Sequence, residues 1–215
     1  MITTGWALGV TMAVYAVGRV SGAHINPAVT IGLASIGSLE WAQVPTYLAG
    51  QMLGAIGGAV LVYLSYFRHW EATDDPAAKL AVFCTGPEIR SPAANLVTEV
   101  IGTALLMFGV LAIGANALEI QSASEIDLSA VFSTGIAPLL VGLLVWAIGL
   151  SLGGPTGYAI NPARDLGPRI AHALLPIAGK GDSDWGYAWI PLVGPLVGGV
   201  IGALLFQAVD GVFLG

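Results

Sequence analysis

Ser21-Gly22-Ala23-His24-Ile25-Asn26-Pro27-Ala28 recurs further along the chain as Thr156-Gly157-Tyr158-Ala159-Ile160-Asn161-Pro162-Ala163. Gly, Ile, Asn, Pro and Ala stand at matching offsets, and each copy follows an apolar run long enough to cross a bilayer. Asn caps a helix through its side-chain oxygen, and Pro at the first helical position gives up no needed N–H, so each Asn-Pro-Ala reads as a helix start. The residues that follow, about 27–36 and 162–173, make helices only half a bilayer long. A Gly-rich extended run leading into a half-length helix, placed alike in two halves, predicts discontinuous helices lining a polar path.

The rest of the chain agrees with a membrane setting. Of 215 residues, 56% are hydrophobic and 9% charged, and the mean hydropathy is +0.82; an ordinary soluble domain carries about a quarter charged residues. The net charge is −6 and the seven Lys and Arg are scattered, which excludes a nucleic-acid partner. Cys84 is the only cysteine, so no intrachain disulfide is available. No cleavable signal peptide is expected, since no basic flank precedes the first apolar run.

Apolar spans fall at about 3–20, 43–66, 93–115, 131–152 and 187–209, with hydrophilic connections at 67–91, 116–129 and 176–186. The duplication extends past the central stretch: Gly50, Gly54 and Gly58 are echoed by Gly194, Gly198 and Gly202, a small-residue stripe on one helix face that lets another backbone approach. From Asn to stripe the second half is nine residues longer, the excess falling in the connection that holds Lys180 to Trp185. The second half has two spans before its motif and the first has one, so a counterpart of 93–115 is expected ahead of Met1. Three spans per half is odd, and the halves would insert with opposite orientation. The expectation is one channel domain over 1–215, in half-repeats 1–91 and 92–215, with five spanning helices and two re-entrant half-helices.

The two loops closely resemble the signature loops of the major intrinsic proteins, the aquaporins, over essentially the whole chain. Asp165 after Arg164, and the run to Arg169, resemble the glycerol facilitator branch. The resemblance implies an all-α, right-handed bundle of inverted repeats, six spans less the first, in the cell membrane as a multi-pass protein. It also implies a homotetramer; with no metal-ligand cluster, Walker loop or dinucleotide fingerprint in the sequence, no metal and no cofactor are expected. Its pore residues fall on Asn26, Pro27, Ala28, Asn161, Pro162 and Ala163, and its narrow filter on Trp6, Gly149, Tyr158 and Arg164. Carbonyls of Gly22, Ala23, His24, Gly157 and Ala159 would line the path. Glu99 resembles a buried carboxylate bracing the second loop, whose counterpart would sit on the absent span; Asp165 is read as structural.

Half-helix tips at Asn26 and Asn161 would aim partial positive charge at the bilayer centre, roughly half a charge each. Amide donors there and carbonyl acceptors alongside pair a neutral hydroxyl, while Trp6 and Tyr158 face the carbon chain and Gly149 leaves width. The function expected is passive flow of glycerol, small neutral solutes and some water, excluding ions and protons; a water-dominated channel and a non-conducting family member are the alternatives. An ion-coupled transporter would need a membrane-depth acid, for which Glu99 is the candidate. His69 and His172 are expected in solvated or interfacial positions. Gly149-Leu-Ser151-Leu-Gly153 matches a nucleophile elbow in form. Its place at the end of an apolar span, away from a strand-to-helix turn, argues against an enzyme. With Met1 outside, as the resemblance implies, the distribution of Lys and Arg runs against the positive-inside rule.

Overall fold

The computed structural model describes residues 1–123 and 128–213. In chain order the helices are α1 (Ile2–Ser21), α2 (Pro27–Ser35), α3 (Val44–Ser65, entered through a 3₁₀ turn at Trp41–Gln43), α4 (His69–Ala72) and α5 (Pro76–Phe83). There follow α6 (Pro92–Ala123), α7 (Ser129–Val131), α8 (Ala137–Leu152), α9 (Pro162–Leu174) and α10 (Trp189–Phe213). A π-helical stretch, Phe132–Ile136, joins α7 to α8. It precedes Pro138, which lacks the N–H for a regular α-helical bond. Tyr15 Oη donates to the Gly135 carbonyl at 2.6 Å, tying α1 to this stretch.

Among the described residues, four helical segments are long and apolar enough to cross a membrane: Trp41–Ser65, Pro92–Ala117, Ser129–Leu152 and Trp189–Val212. α1 has 20 residues, about 30 Å of helix. Thr, Gly and Arg19 hold its hydropathy below the level of the other four, and it is anchored by packing along α8. The expected half-helices are 9 and 13 residues long.

Two connections differ from expectation. The span at 93–115 runs on as helix to Ala123, so the 116–129 connection is mostly helical, and residues 124–127 lie outside the described residues. The stretch 67–91 contains α4 and α5, which bury Trp70, Lys79 and Phe83. These aromatics, with Tyr63 and Ile177, form a small apolar cluster capping the end of the bundle near α9.

The halves interlock. α2 packs on α10 and α9 on α3, so each half-helix is held by the last spanning helix of the other half. Small residues permit both crossings: a Cβ on Gly199 would meet the Ala28 carbonyl oxygen at 2.5 Å, and one on Gly167 would meet Ala55 Cβ at 2.7 Å. The two glycine stripes meet different fates. On α10, Gly194 and Gly198 receive α6, where added Cβ atoms would lie 2.7 Å from Glu99 Cβ and 2.9 Å from Thr103 Cβ. On α3, Gly50, Gly54 and Gly58 have nothing within 4 Å of such a Cβ among the described residues. α6 fills the stripe of its own half; α3 instead borders an open groove.

Candidate functional site

The two loops repeat down to their dihedral angles. Gly22 and Gly157 have φ of 68° and 74°, and they are followed by Ala23 at 49°, Ile25 at 43°, Tyr158 at 39° and Ile160 at 42°. Left-handed backbone at a β-branched residue is an outlier, costing about 1–3 kcal/mol per residue and persisting only where surroundings impose it. In the second loop the imposition is visible. Glu99 Oε1 accepts from Ala159 N at 2.9 Å and Oε2 from Ile160 N at 2.8 Å, with the carboxylate 1% exposed. In the first loop the brace comes from α3: Tyr47 Oη donates to the Ser21 carbonyl at 2.9 Å, and the ring stacks on His24 at 4.4 Å.

At the tips the expected caps form. Asn26 Oδ1 accepts from Ala28 N at 2.9 Å, and Asn161 Oδ1 from Ala163 N at 3.0 Å and Arg164 N at 3.3 Å. One N–H of each amide turns to the opposite loop. Asn26 Nδ2 donates to the Ile160 carbonyl at 2.7 Å, and Asn161 Nδ2 donates to the Ile25 carbonyl at 2.9 Å. Each Asn therefore caps its own helix and ties down the opposite loop, keeping one N–H over. Pro27, Ala28, Pro162 and Ala163 are buried behind the tips.

Two cavities adjoin the tips. One, of about 230 Å³, is lined by Val10, Val14, Val141 and Val145 together with Gly22, Ala23, His24, Asn26, Tyr158, Ala159, Asn161 and Arg164. The other, of about 890 Å³, opens along the bare face of α3. They share Trp6, His24, Ile25, Asn161 and Arg164. At that seam the Arg164 guanidinium lies over the Trp6 ring, 4.3 Å from its centroid, and donates to the Phe83 carbonyl at 3.4 Å. A cation over an indole face is attracted by the ring quadrupole.

Pro27, Ala28 and Pro162 border neither cavity, Ala163 borders the larger one, and two more of the expected residues stand elsewhere. Gly149 borders neither cavity: the Tyr158 ring lies on it, so an added Cβ would be 2.8 Å from the ring, and the space left by the missing side chain is filled. Gly157 likewise borders neither and backs onto Thr85. His172 is fully buried instead of solvated, with Nδ1 2.8 Å from Ser183 Oγ.

Sequence reasoning missed the network beneath the second loop. Asp165 and Arg169, 1% and 0% exposed, pair at 2.8 Å one helical turn apart. Asp165 Oδ2 accepts from Thr85 N and Oγ1, both at 2.7 Å, while Arg169 donates to the carbonyls of Thr85, Ser183 and Asp184 at 2.7–3.0 Å. The i,i+4 spacing of Asp165 and Arg169 is a helix-pair signal that was legible; Thr85, about eighty residues away, was not. Lys180 Nζ donates to the carbonyls of His172, Ala173 and Leu175, each at 2.7 Å, closing the end of α9. That accounts for part of the nine-residue excess. Burial pushes the Cys84 thiol, beside this network, up to about 12. Among the described residues no cluster of His, Cys, Asp and Glu is arranged to hold a metal.

The sequence pattern of the "Major intrinsic protein" family matches residues 1–206. This chain belongs to that family. A "probable glycerol uptake facilitator protein" of Thermotoga maritima is 63% identical over 207 residues, 96% of this chain and 82% of the relative. The "glycerol uptake facilitator protein" of Bacillus subtilis is 58% identical over 208 residues, 97% of this chain and 71% of the relative. Among solved structures, the aquaglyceroporin from Plasmodium falciparum superposes with a TM-score of 0.80 at 31% identity, covering 97% of this chain and 81% of that one. This major intrinsic protein is an integral membrane protein of the glycerol facilitator branch, and its paired half-helices are those of the aquaporin-like fold.

Proposed function

We propose that this chain is a passive channel for glycerol and other small neutral solutes, with some water, and that it excludes ions and protons. The observation that carries the reading is the reciprocal tie between Asn26 and the Ile160 carbonyl, and Asn161 and the Ile25 carbonyl, at 2.7 and 2.9 Å. It sets two helix N-termini tip to tip beside Arg164, so positive potential converges from both halves. A cation entering there loses hydration against a repulsive field, whereas a hydroxyl oxygen accepts from the spare Asn N–H; aquaporin-type pores are the standard example of this exclusion. Val10, Val14, Val141 and Val145 in the same lining give a carbon chain apolar surface. The matched relatives named as glycerol facilitators support the same solute. Nothing in this account requires an enzyme.

Each half-helix packs on the other half's last spanning helix, which supports reading 1–91 and 92–215 as the two halves of one channel domain. We infer the family's homotetramer for its assembly; chemical cross-linking in native membranes tests this. In proteoliposomes under a glycerol gradient, shrinkage followed by re-swelling faster than in empty vesicles is expected. Re-swelling at the empty-vesicle rate would refute the reading. A water-dominated channel is the second reading, favoured by the 4.3 Å approach of Arg164 to Trp6, which leaves no room for a solute between them. The ratio of osmotic water permeability to glycerol permeability separates the two.

A further inference from the structure

α1 lies antiparallel on α8 through evenly spaced contacts. Gly149, Gly142 and Gly135 recur at seven-residue intervals, two helical turns apart, and so fall on one helix face. A Cβ on Gly149 would meet the Thr3 methyl at 2.5 Å, and one on Gly142 the Ala7 carbonyl oxygen at 2.7 Å. At Gly135 the contact changes character. A Cβ there would meet nothing within 4 Å, and the Gly135 carbonyl instead accepts from Tyr15 Oη at 2.6 Å. The first two are close-packed seats. The third is a hydrogen bond, and it falls in the π-helical Phe132–Ile136, where Pro138 interrupts the regular ladder.

The cavity of about 230 Å³ follows this pair of helices. Trp6, Val10 and Val14 on α1 and Val145 and Val141 on α8 line it, and Trp6 carries the Arg164 guanidinium. At 1.5 Å of rise per residue, Val14 stands about 12 Å along α1 from Trp6. It is the neighbour of Tyr15, so the cavity end remote from Arg164 is bounded by the two segments that the Tyr15–Gly135 bond joins.

We propose that Tyr15 is a positioning residue for solute size: its hydroxyl holds α1 to the start of α8 and limits how far Val14 and Val141 part as a solute passes. The role rests on the channel reading. Valine side chains offer no hydrogen bond, so they select by width alone. That width depends on what holds the two helices together. Close packing fixes it at Gly142 and Gly149, whereas at the Tyr15 end a single hydroxyl does so.

Tyr15→Phe keeps the ring and removes the hydroxyl at a position 39% exposed, so the fold is retained. Glycerol and xylitol, a five-carbon polyol whose bent chain needs more width, are compared in proteoliposomes. The ratio of xylitol to glycerol permeability is expected to rise about fivefold, the shift in population that losing one ordinary hydrogen bond allows. Hydrogen exchange at 132–137 is expected to rise with it, with exchange in α2 unchanged. Raised exchange with an unchanged ratio makes the bond structural only and overturns the role. Unchanged exchange overturns the tie itself. A parent that passes no glycerol overturns the channel reading and this role with it, and the exchange result then stands as a property of the helix pair alone.

Discussion

Gly149 shows how one residue's meaning depends on its neighbour. Its missing side chain does not widen a lumen directly; it seats the Tyr158 ring, with the Thr3 methyl on the other side, 2.5 Å from where a Cβ would be. Gly149→Ala should therefore push the ring toward Arg164 and lower glycerol permeability by about tenfold, with water permeability falling less; removing the ring with Tyr158→Ala should abolish that difference. Stopped-flow light scattering of both solutes checks it. The Asp165–Arg169 pair belongs to the same scale. Both are buried and fully bonded, so Arg169→Met leaves an uncompensated carboxylate and should cost about 3–5 kcal/mol, read as a lowered thermal midpoint in detergent. Cys84, 3% exposed, has its thiol held up to about 12 by burial. Maleimide at pH 8 should leave the folded protein unlabelled and label it on denaturation. The sign for stability follows from the raised value: as pH rises from the ordinary thiol range toward about 12, the unfolded chain ionises and the folded one does not, so this group favours unfolding across that window.

Among elements, the half-helices were the most legible part of the chain. Asn at the cap and Pro at the first position are local signals, and both ends of α2 and α9 fell within about a residue of expectation. The connections were less legible. Residues 116–123 continue α6, because their polar residues lie on a helix already nucleated by a long apolar run. The hydrophilic 67–91 stretch folds into α4 and α5, because Trp70 and Phe83 gain burial only against Tyr63 and Ile177. Lys180 gives this scale its test. It satisfies three carbonyls at the end of α9, where a cation also complements the helix dipole. Lys180→Met should raise hydrogen exchange across 172–186 several-fold, leaving exchange in α2 unchanged.

At the scale of the whole molecule, the two glycine stripes are alike in sequence and opposite in use. Gly198→Ala puts a Cβ 2.9 Å from Thr103 Cβ in the α6–α10 contact and should reduce the yield of monodisperse protein sharply. Gly54→Ala meets open space and should leave that yield within about twofold of the parent. Membrane residence, two half-helices at paired Asn-Pro-Ala stretches, and the duplication of the chain were all decided by the amino-acid order alone. They depend on hydropathy, on cap chemistry and on matching offsets, which are properties of short segments. The tertiary structure alone decided which carbonyls Asn26 and Asn161 bind, what occupies the face of Gly149, and that Thr85 closes the Asp165–Arg169 pair. Those contacts join residues as much as 136 positions apart. A segment's composition states what it can bury or donate, but only the packing of the two halves against each other selects the partner.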